Sequence, residues 1–447
     1  MSPVATIFSE FASNLRTRRV RHAFLRGHQH FPEVRGASDV DVLIRREDRN
    51  AALAAFVDAA RAAGFTVWQV LRIGFLTQLY AYRSACSGEH HFFDVDLHES
   101  ECSFGVPFLT AASLLERTAR GPGLPTLRPA PAAVVNALGH YFSGGPIPER
   151  HLDALREVLP EPETGQLLNA VLGKSLASAL MERVRSGDPG WSARGGRAAG
   201  RAARRRALLQ RPVASVTGWL GFLWGVRVRP ILQPRGLFVA FLGPDGSGKS
   251  SLIDAVLERL RPRLRGHPVE VFHQRPKLLP PISALLSLGR KGPTAADSAE
   301  PHRAPPSGQL GSAMRATYYW LDYVLGYPLR VLPLRRRNSL IVFDRWFTDY
   351  LIDPRRTCIS PRSPLPRLLK PFVPSPDRVV LCTAPVGVIA ARKAELPPAE
   401  IARQLDLLRS LAATEEGAIA CDTSRPLDEC VDDVVRQLLS TPRRLEG

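Results

Sequence analysis

The chain has 447 residues, 45% of them hydrophobic, and a formal net charge of +18. This length exceeds what one hydrophobic core normally organises, so we expect two or three domains. The six cysteines are scattered without a C-x-x-C pair, which argues against a zinc site and a disulfide framework. The N-terminus lacks the pattern of a signal peptide, and no apolar run approaches the roughly 20 residues of a membrane-spanning helix. The sequence therefore predicts a cytoplasmic protein.

Two runs near the N-terminus place carboxylates on predicted strands. The first follows Gly27 and carries Asp39 and Asp41 on one face, because side chains alternate along a strand. The second carries Asp94 and Asp96 in the same way. Carboxylates on adjacent strands can hold two Mg²⁺ ions around a triphosphate. A strand with solvated aspartates, or a domain that binds without turning over, would show the same pattern.

Residues 1–105 resemble the nucleotidyltransferase superfamily, whose pattern is a glycine, then Ser-Asp-x-Asp, then a carboxylate on a later strand. The resemblance implies an N-terminal α+β domain. It also implies metal ligands and triphosphate contacts at five positions: Asp39, Asp41 and Asp96 for the metal, Gly27 and Ser38 for the triphosphate.

The middle of the chain reads as mostly helical over residues 106–190, and a basic segment follows over residues 191–235. Between positions 194 and 235 there are ten arginines and no acidic residue. This charge favours anionic partners, although an arginine-rich composition bias would also produce it. The aromatic residues Trp219, Phe222 and Trp224 lie inside the segment. It is either a helical linker that packs its tryptophans against a neighbouring domain or a surface that contacts an anionic membrane. No recognised nucleic-acid module accompanies it.

The most specific signal is a glycine-rich stretch after a short apolar run. Leu237–Leu242 reads as a buried strand, residues 243–250 have the pattern G-x-x-x-x-G-K-S, and residues 252–260 have helical spacing. Strand, loop and helix in this order are what a phosphate-binding loop requires. The predicted nucleotide contacts are Gly243, Gly246, Ser247, Gly248, Lys249, Ser250 and Ser251. Lys249 would reach the β- and γ-phosphates, and the Ser250 hydroxyl would ligate Mg²⁺.

From Gly236 to the C-terminus, predicted strands and helices alternate as in an α/β domain with a parallel sheet. Two further strands end in charged residues: Arg275 follows one, and Asp344 with Arg345 follows the other. Ligands of such sheets bind beyond the carboxyl ends of the strands. A polar, proline-rich loop spans residues 290–306. An aromatic stretch over residues 318–327 either lines an acceptor pocket or belongs to the core.

Residues 236–440 resemble the thymidylate kinase family of P-loop nucleoside monophosphate kinases. The resemblance rests on the glycine-rich motif with Asp245 two places after its first glycine, on Arg275 after the second strand, and on the Asp344-Arg345 pair. It implies ATP and Mg²⁺ as cofactors. It also implies roles for seven residues: Asp344 at the metal, Arg275, Arg345 and Asp245 at the acceptor, Arg392 in a lid, and Asp422 with Thr423 at the adenine.

The predicted function is transfer of the γ-phosphoryl group of ATP to a small anionic acceptor, such as a nucleoside monophosphate or a sugar phosphate. Nucleotidyl transfer by the N-terminal domain would make the protein bifunctional, and a dimer is compatible with this interpretation. Two alternatives stay open. One is a regulatory or assembly protein that uses ATP binding as a switch. The other is a nucleotidyltransferase whose kinase-like half only senses nucleotide.

Overall fold

The computed structural model describes residues 1–34, 39–84, 90–119, 123–186, 195–233, 236–261, 268–280, 308–393, 395–415 and 417–440. The predicted triphosphate contact Ser38 and the proline-rich loop at 290–306 lie outside these ranges. The chain forms two compact units, of which the first contains Met1–Arg229 and the second Pro230–Leu438. Both combine α-helices and β-sheets, which confirms the predicted α/β class.

The first unit is built on a mixed five-stranded sheet. Its strands are β1 (His22–Arg26), β2 (Val40–Ile44), β3 (Thr66–Ile73), β4 (Leu76–Ser84) and β5 (His90–His98), in the order β1-β2-β5-β4-β3. Only β2 and β5 run parallel to each other. Helices α1 (Pro3–Thr17) and α2 (Arg49–Ala62) supply apolar side chains to the same buried core as the sheet. Ser2 starts α1 by accepting a hydrogen bond from the amide of Ala5.

A hairpin and a helical layer complete the first unit. The hairpin consists of β6 (Ser100–Ser103) and β7 (Val106–Thr110). The helices are α3 (Ala111–Leu115), α4 (Pro129–Ser143), α5 (Glu149–Val158), α6 (Pro162–Leu172), α7 (Lys174–Ser186), α8 (Gly196–Gln210) and α9 (Pro212–Leu223). The basic segment was expected to be a linker. Its described part is helical, as predicted, and Ala199 and Ala203 of α8 lie in the core shared by α4–α7.

The second unit contains a five-stranded, all-parallel sheet. Its strands are β8 (Leu237–Leu242), β9 (Val269–His273), β10 (Leu340–Asp344), β11 (Arg378–Thr383) and β12 (Ala418–Asp422), in the order β12-β11-β8-β10-β9. The helices are α10 (Arg229–Leu232, which begins at the boundary of the units), α11 (Lys249–Leu260), α12 (Gln309–Gly326), α13 (Leu332–Arg336), α14 (Asp349–Ile352), α15 (Leu365–Leu369), α16 (Val386–Arg392), α17 (Pro398–Thr414) and α18 (Leu427–Ser440). The parallel sheet predicted from Gly236 onward is present.

The strand order fixes where this sheet can bind a ligand. From the central strand β8 the chain leads toward β9 on one side, whereas β11 leads to β12 on the other. The connections after β8 and β11 therefore diverge and leave a crevice at their carboxyl ends, where ligands of open parallel sheets bind. The glycine-rich loop, residues 243–248, follows β8 at this point.

Candidate functional site

The backbone of the glycine-rich loop requires glycine at three positions. A Cβ at Gly243 would lie 2.5 Å from the carbonyl oxygen of Cys382 and 2.6 Å from the hydroxyl of Ser247. Gly246 and Gly248 have φ angles of +84° and +75°, in the left-handed region that favours glycine. All three glycines singled out in the sequence are therefore needed by the fold of the loop. The loop ends at the first residue of α11, so the N-terminus of a helix faces the same space.

Lys249 is folded back over this loop. Its side chain is buried, and Nζ donates hydrogen bonds to the carbonyl oxygens of Gly243 and Pro244 at 2.8 and 2.6 Å. Burial, together with the nearby charge of Arg345, lowers the pKa of Lys249 to about 8. The neighbouring side chains of Ser250 and Ser251 are exposed.

The third strand, β10, brings Asp344 and Arg345 to the same edge. Arg345 has a φ angle of +75°, so the chain turns at this residue. Its backbone amide donates a hydrogen bond to the carbonyl oxygen of Phe241 on β8. One carboxylate oxygen of Asp344 lies 3.4 Å from Nδ1 of His273. The other is buried and has no hydrogen-bond partner within the described residues. A buried acceptor without a donor is costly.

Asp245 is held between two arginines rather than left open. One oxygen accepts from Nη2 of Arg345 at 2.6 Å and the other pairs with Arg356. Arg345 also donates to both oxygens of the buried Asp349, at 2.7 and 2.9 Å. Although burial opposes ionisation, Arg345 and Arg356 hold the pKa of Asp245 well below its usual range. Sequence reasoning missed Arg356 and Asp349, although Asp349 lies only four residues after the predicted Arg345.

Arg275 is fixed by the aromatic helix α12. Its Nη1 donates to the buried Asp322 at 3.0 Å, and its guanidinium lies 4.9 Å from the ring centroid of Tyr319. Tyr323 of the same helix is fully buried and packs edge-to-face on Trp346. The aromatic stretch thus contributes to the core through Tyr323, while Tyr319 and Asp322 position Arg275.

The predicted lid and the predicted adenine edge lie next to the loop. Arg392, at the end of α16, donates to the carbonyl oxygen of Thr423 at 3.0 Å. The Thr423 hydroxyl donates to the carbonyl oxygen of Ser247 at 2.8 Å, which ties β12 to the glycine-rich loop. Asp422 has a local role, because its carboxylate accepts from both the amide and the hydroxyl of Ser424.

The edge of the second sheet therefore gathers five of the side chains predicted from the sequence, together with Arg356 and Asp349. Cationic groups lie around the loop opposite three carboxylates, and the members of this group are Lys249, Arg345, Arg356, Arg392, Asp245, Asp344 and Asp349. Such a surface, with backbone amides and a helix N-terminus, is suited to an anion of high charge.

The first unit brings a second group of polar side chains together on β2 and β5. Asp41 and Asp96 are direct neighbours in the parallel register of these strands. Ligand atoms of Asp41, Asp96 and His98 all lie within 4.8 Å of one another. His98 was not predicted as a site residue, although its spacing of two from Asp96 puts it on the same strand face.

Protein donors already contact this carboxylate cluster. Arg26 forms an ion pair with one oxygen of Asp41, and Nε2 of His98 lies 3.4 Å from the other. Gln78 donates to both oxygens of Asp96 at 3.3 Å. Although burial opposes a charge on the imidazole, Asp41 and Glu101 raise the pKa of His98. A metal ion at Asp41 would have to displace the Arg26 guanidinium, whose side chain is 38% exposed.

The remaining predicted residues of the first unit lie close to this cluster in the fold. Gly27 has φ +75°, and a Cβ there would lie 2.0 Å from the carbonyl oxygen of Asp39. The backbone after β1 thus packs directly on the residue before β2, which explains the glycine. Asp94 lies on β5 opposite Tyr80 of β4. Neither Asp39 nor Asp94 belongs to the group formed by Asp41, Asp96 and His98.

Neither the known protein families nor the curated proteins with which the chain was compared gave a match. The chemistry of both sites must therefore be inferred from the residues themselves.

Proposed function

We propose that the second unit is an ATP-dependent phosphotransferase that phosphorylates a small anionic acceptor. One observation carries the proposal. A strand, a loop whose backbone requires glycine at three positions, and a helix that begins at a buried lysine follow one another at the switch point of a parallel sheet. Backbone amides and the lysine ammonium in this arrangement bind the phosphates of a nucleoside triphosphate.

The surrounding side chains support transfer rather than binding alone. In phosphoryl transfer the protein mainly positions the reactants and stabilises the charge of the migrating group. Arg345 is locked by Asp245 and Asp349, and Arg275 by Asp322, so both guanidinium groups are held rigidly at this edge. Fixed cations beside the loop are suited to gripping an acceptor that already bears a phosphate.

The residues present also fit a magnesium ion. Asp344 offers a buried carboxylate oxygen without a donor in the described structure, and Ser250 offers an exposed hydroxyl at the start of α11. Both are hard oxygen ligands of the kind Mg²⁺ prefers. The ion, when bound, supplies charge neutralisation at the β- and γ-phosphates. Lys249 would exchange its two carbonyl acceptors for phosphate oxygens, and Arg392 would close over them.

The resemblance to the thymidylate kinase family supports the same proposal and suggests dTMP as one acceptor to test. The experiment measures ADP formation from ATP and Mg²⁺ by the full chain with dTMP, other nucleoside monophosphates, sugar phosphates and free sugars. We expect one class to stimulate ADP formation and Lys249→Ala to abolish the stimulation. Lys370→Ala, which removes a lysine paired with Glu415 in the same unit, is the matched control. Slow ADP formation that no acceptor stimulates would instead support a regulatory ATPase.

A second candidate activity, nucleotidyl transfer by the first unit, is favoured by the register of Asp41 and Asp96. With His98 they would hold one divalent cation, which supplies charge neutralisation at a bound triphosphate. Release of pyrophosphate from a nucleoside triphosphate that stops in Asp41→Asn and persists in Lys249→Ala would support this activity. Unchanged release in Asp41→Asn would exclude the cluster as its source.

A further inference from the structure

Helix α9 of the first unit has an apolar outer face. Its exposed side chains, with their exposed fractions, are Val213 (76%), Val216 (44%), Trp219 (46%) and Leu220 (52%). The same surface continues through Trp224 (52%), Val226 (40%) and Val228 (38%) in the π-helical turn that follows. We call these seven side chains the outer face. A contiguous apolar surface of this kind marks an interaction site.

The orientation of α9 is fixed by small residues on its opposite side. A Cβ at Gly218 would lie 2.2 Å from the ring of Phe75 and 2.3 Å from the carbonyl oxygen of Gly105. A Cβ at Gly225 would lie 3.2 Å from Cα of Ile73. Because a Cβ at Gly218 would overlap both of its contacts, this side of α9 packs closely against the first unit, and the side chains of the outer face lie away from it.

The surroundings of the outer face are strongly basic. No acidic residue occurs among residues 195–233. The arginines with exposed side chains in this part are Arg197, Arg201, Arg205, Arg206, Arg211 and Arg227. Leu208 and Leu209 of α8 are exposed as well, at 45% and 84%. Apolar and cationic side chains are thus exposed together along α8, α9 and the turn that follows.

We propose that the outer face and its arginines dock the protein on an anionic lipid bilayer. Arginines attract anionic headgroups, tryptophans favour the boundary between headgroups and acyl chains, and the valines and leucines enter the acyl region. A second copy of the chain is a poor occupant, because a symmetric contact would bring like-charged arginines together without an acid. No helix in the described part of the chain is long and apolar enough to cross a membrane, so α9 would lie in the plane of the interface.

Co-sedimentation of the full chain with phosphatidylcholine vesicles, with and without phosphatidylglycerol, tests the proposal. We expect binding only to the anionic vesicles. The double variant Trp219→Ser/Trp224→Ser should weaken binding more than about tenfold, because it removes two interfacial aromatic anchors. Arg205→Ser/Arg211→Ser should weaken it by about fivefold for each arginine. The matched controls are Leu176→Ser, at another exposed apolar position, and Arg61→Ser/Arg185→Ser, at other exposed arginines.

The depth to which the tryptophans insert into the bilayer provides a second measurement. Unfolding of a variant would not produce the same result. Lipids brominated on the acyl chain should quench part of the tryptophan fluorescence of the parent protein and less of it in Trp219→Ser/Trp224→Ser. Equal binding to neutral and anionic vesicles would overturn the proposal, and so would variants that bind like the parent. Loss of a dimer in the tryptophan variant, without any vesicle binding by the parent, would assign the face to self-association and also overturn it.

Discussion

The two candidate sites have opposite charge arrangements. At the carboxyl edge of the parallel sheet, backbone and cations surround a space suited to an anion, and Asp245 serves to hold Arg345 and Arg356 in place. On the mixed sheet, Asp41 and Asp96 are the central groups, and Arg26 and His98 neutralise Asp41 from within the protein. At the first site carboxylates hold the cations in fixed positions, whereas at the second site cationic side chains surround a central carboxylate.

This difference shows what makes a site ready to bind. The glycine-rich loop keeps its shape through local backbone constraints, so we expect binding to require that Lys249 leave two carbonyl oxygens and that Arg392 leave one. In the carboxylate cluster a cation must compete with the guanidinium of Arg26. We therefore expect the nucleotide site of the second unit to be strong and the metal site of the first unit to be weak.

Gly243→Ala should produce the largest effect, because its Cβ would overlap the carbonyl of Cys382 at 2.5 Å and distort the loop. We expect ATP affinity to fall by about 100-fold, or about 2.7 kcal/mol. Isothermal titration calorimetry measures it. Gly387→Ala is the control, since a Cβ at that position in α16 meets nothing within 4 Å. Equal affinity in both variants would show that the loop does not bind the nucleotide.

Asp245→Asn should destabilise the second unit by about 2 kcal/mol, because two arginines lose their shared carboxylate and the buried Arg345 keeps only Asp349. Urea-induced unfolding of the full chain measures the free energy. The control is Asp406→Asn, an exposed partner of Arg409 in the same unit, which should change it by less than about 0.5 kcal/mol. A stable Asp245→Asn protein would mean that Asp245 faces the ligand rather than the fold.

The pH dependence of binding tests Lys249 in the second unit. Its pKa is lowered to about 8 by burial, so the free protein loses this proton above that pH, and binding of a phosphate must restore it. Affinity for ADP without magnesium should therefore fall by up to about tenfold per pH unit above pH 8, with proton uptake on binding. Titrations in buffers of different ionisation enthalpy measure the uptake. Lys249→Arg, which stays charged, should flatten the dependence; a parent that is itself flat would contradict the assignment.

Contiguous sequence predicted the second site better than the first. The strand, the loop and the start of α11 come from neighbouring residues, and the glycines are required by local backbone geometry at Gly243, Gly246 and Gly248. The pairing of β2 with β5 was harder to predict. The two aspartate runs are far apart in the sequence, so their strands had to be assumed adjacent. The order of the parallel strands then fixed the edge where the charged strand ends meet.

The partners of the charged residues could not be predicted, because folding brings them together from distant positions. Asp245 pairs with Arg356, 111 residues away, and Arg275 pairs with Asp322, 47 residues away. The sequence also left open whether the tryptophans of α9 are buried or exposed. A helix that is apolar on most sides has no periodicity to show which side is buried, and only the contacts of Gly218 and Gly225 decide it.

The smallest expected effect concerns the metal site of the first unit. Arg26→Gln removes the cation that pairs with Asp41, so Asp41, Asp96 and His98 can accept a divalent ion without displacing a guanidinium. Since a partly exposed ion pair contributes up to about 1 kcal/mol, affinity for Mn²⁺ should rise by about fivefold. Electron paramagnetic resonance of free Mn²⁺ measures it. Arg45→Gln, which breaks the exposed pair with Glu47, is the control. If Arg26→Gln bound Mn²⁺ no better than the parent, Arg26 would not be what separates the two sites.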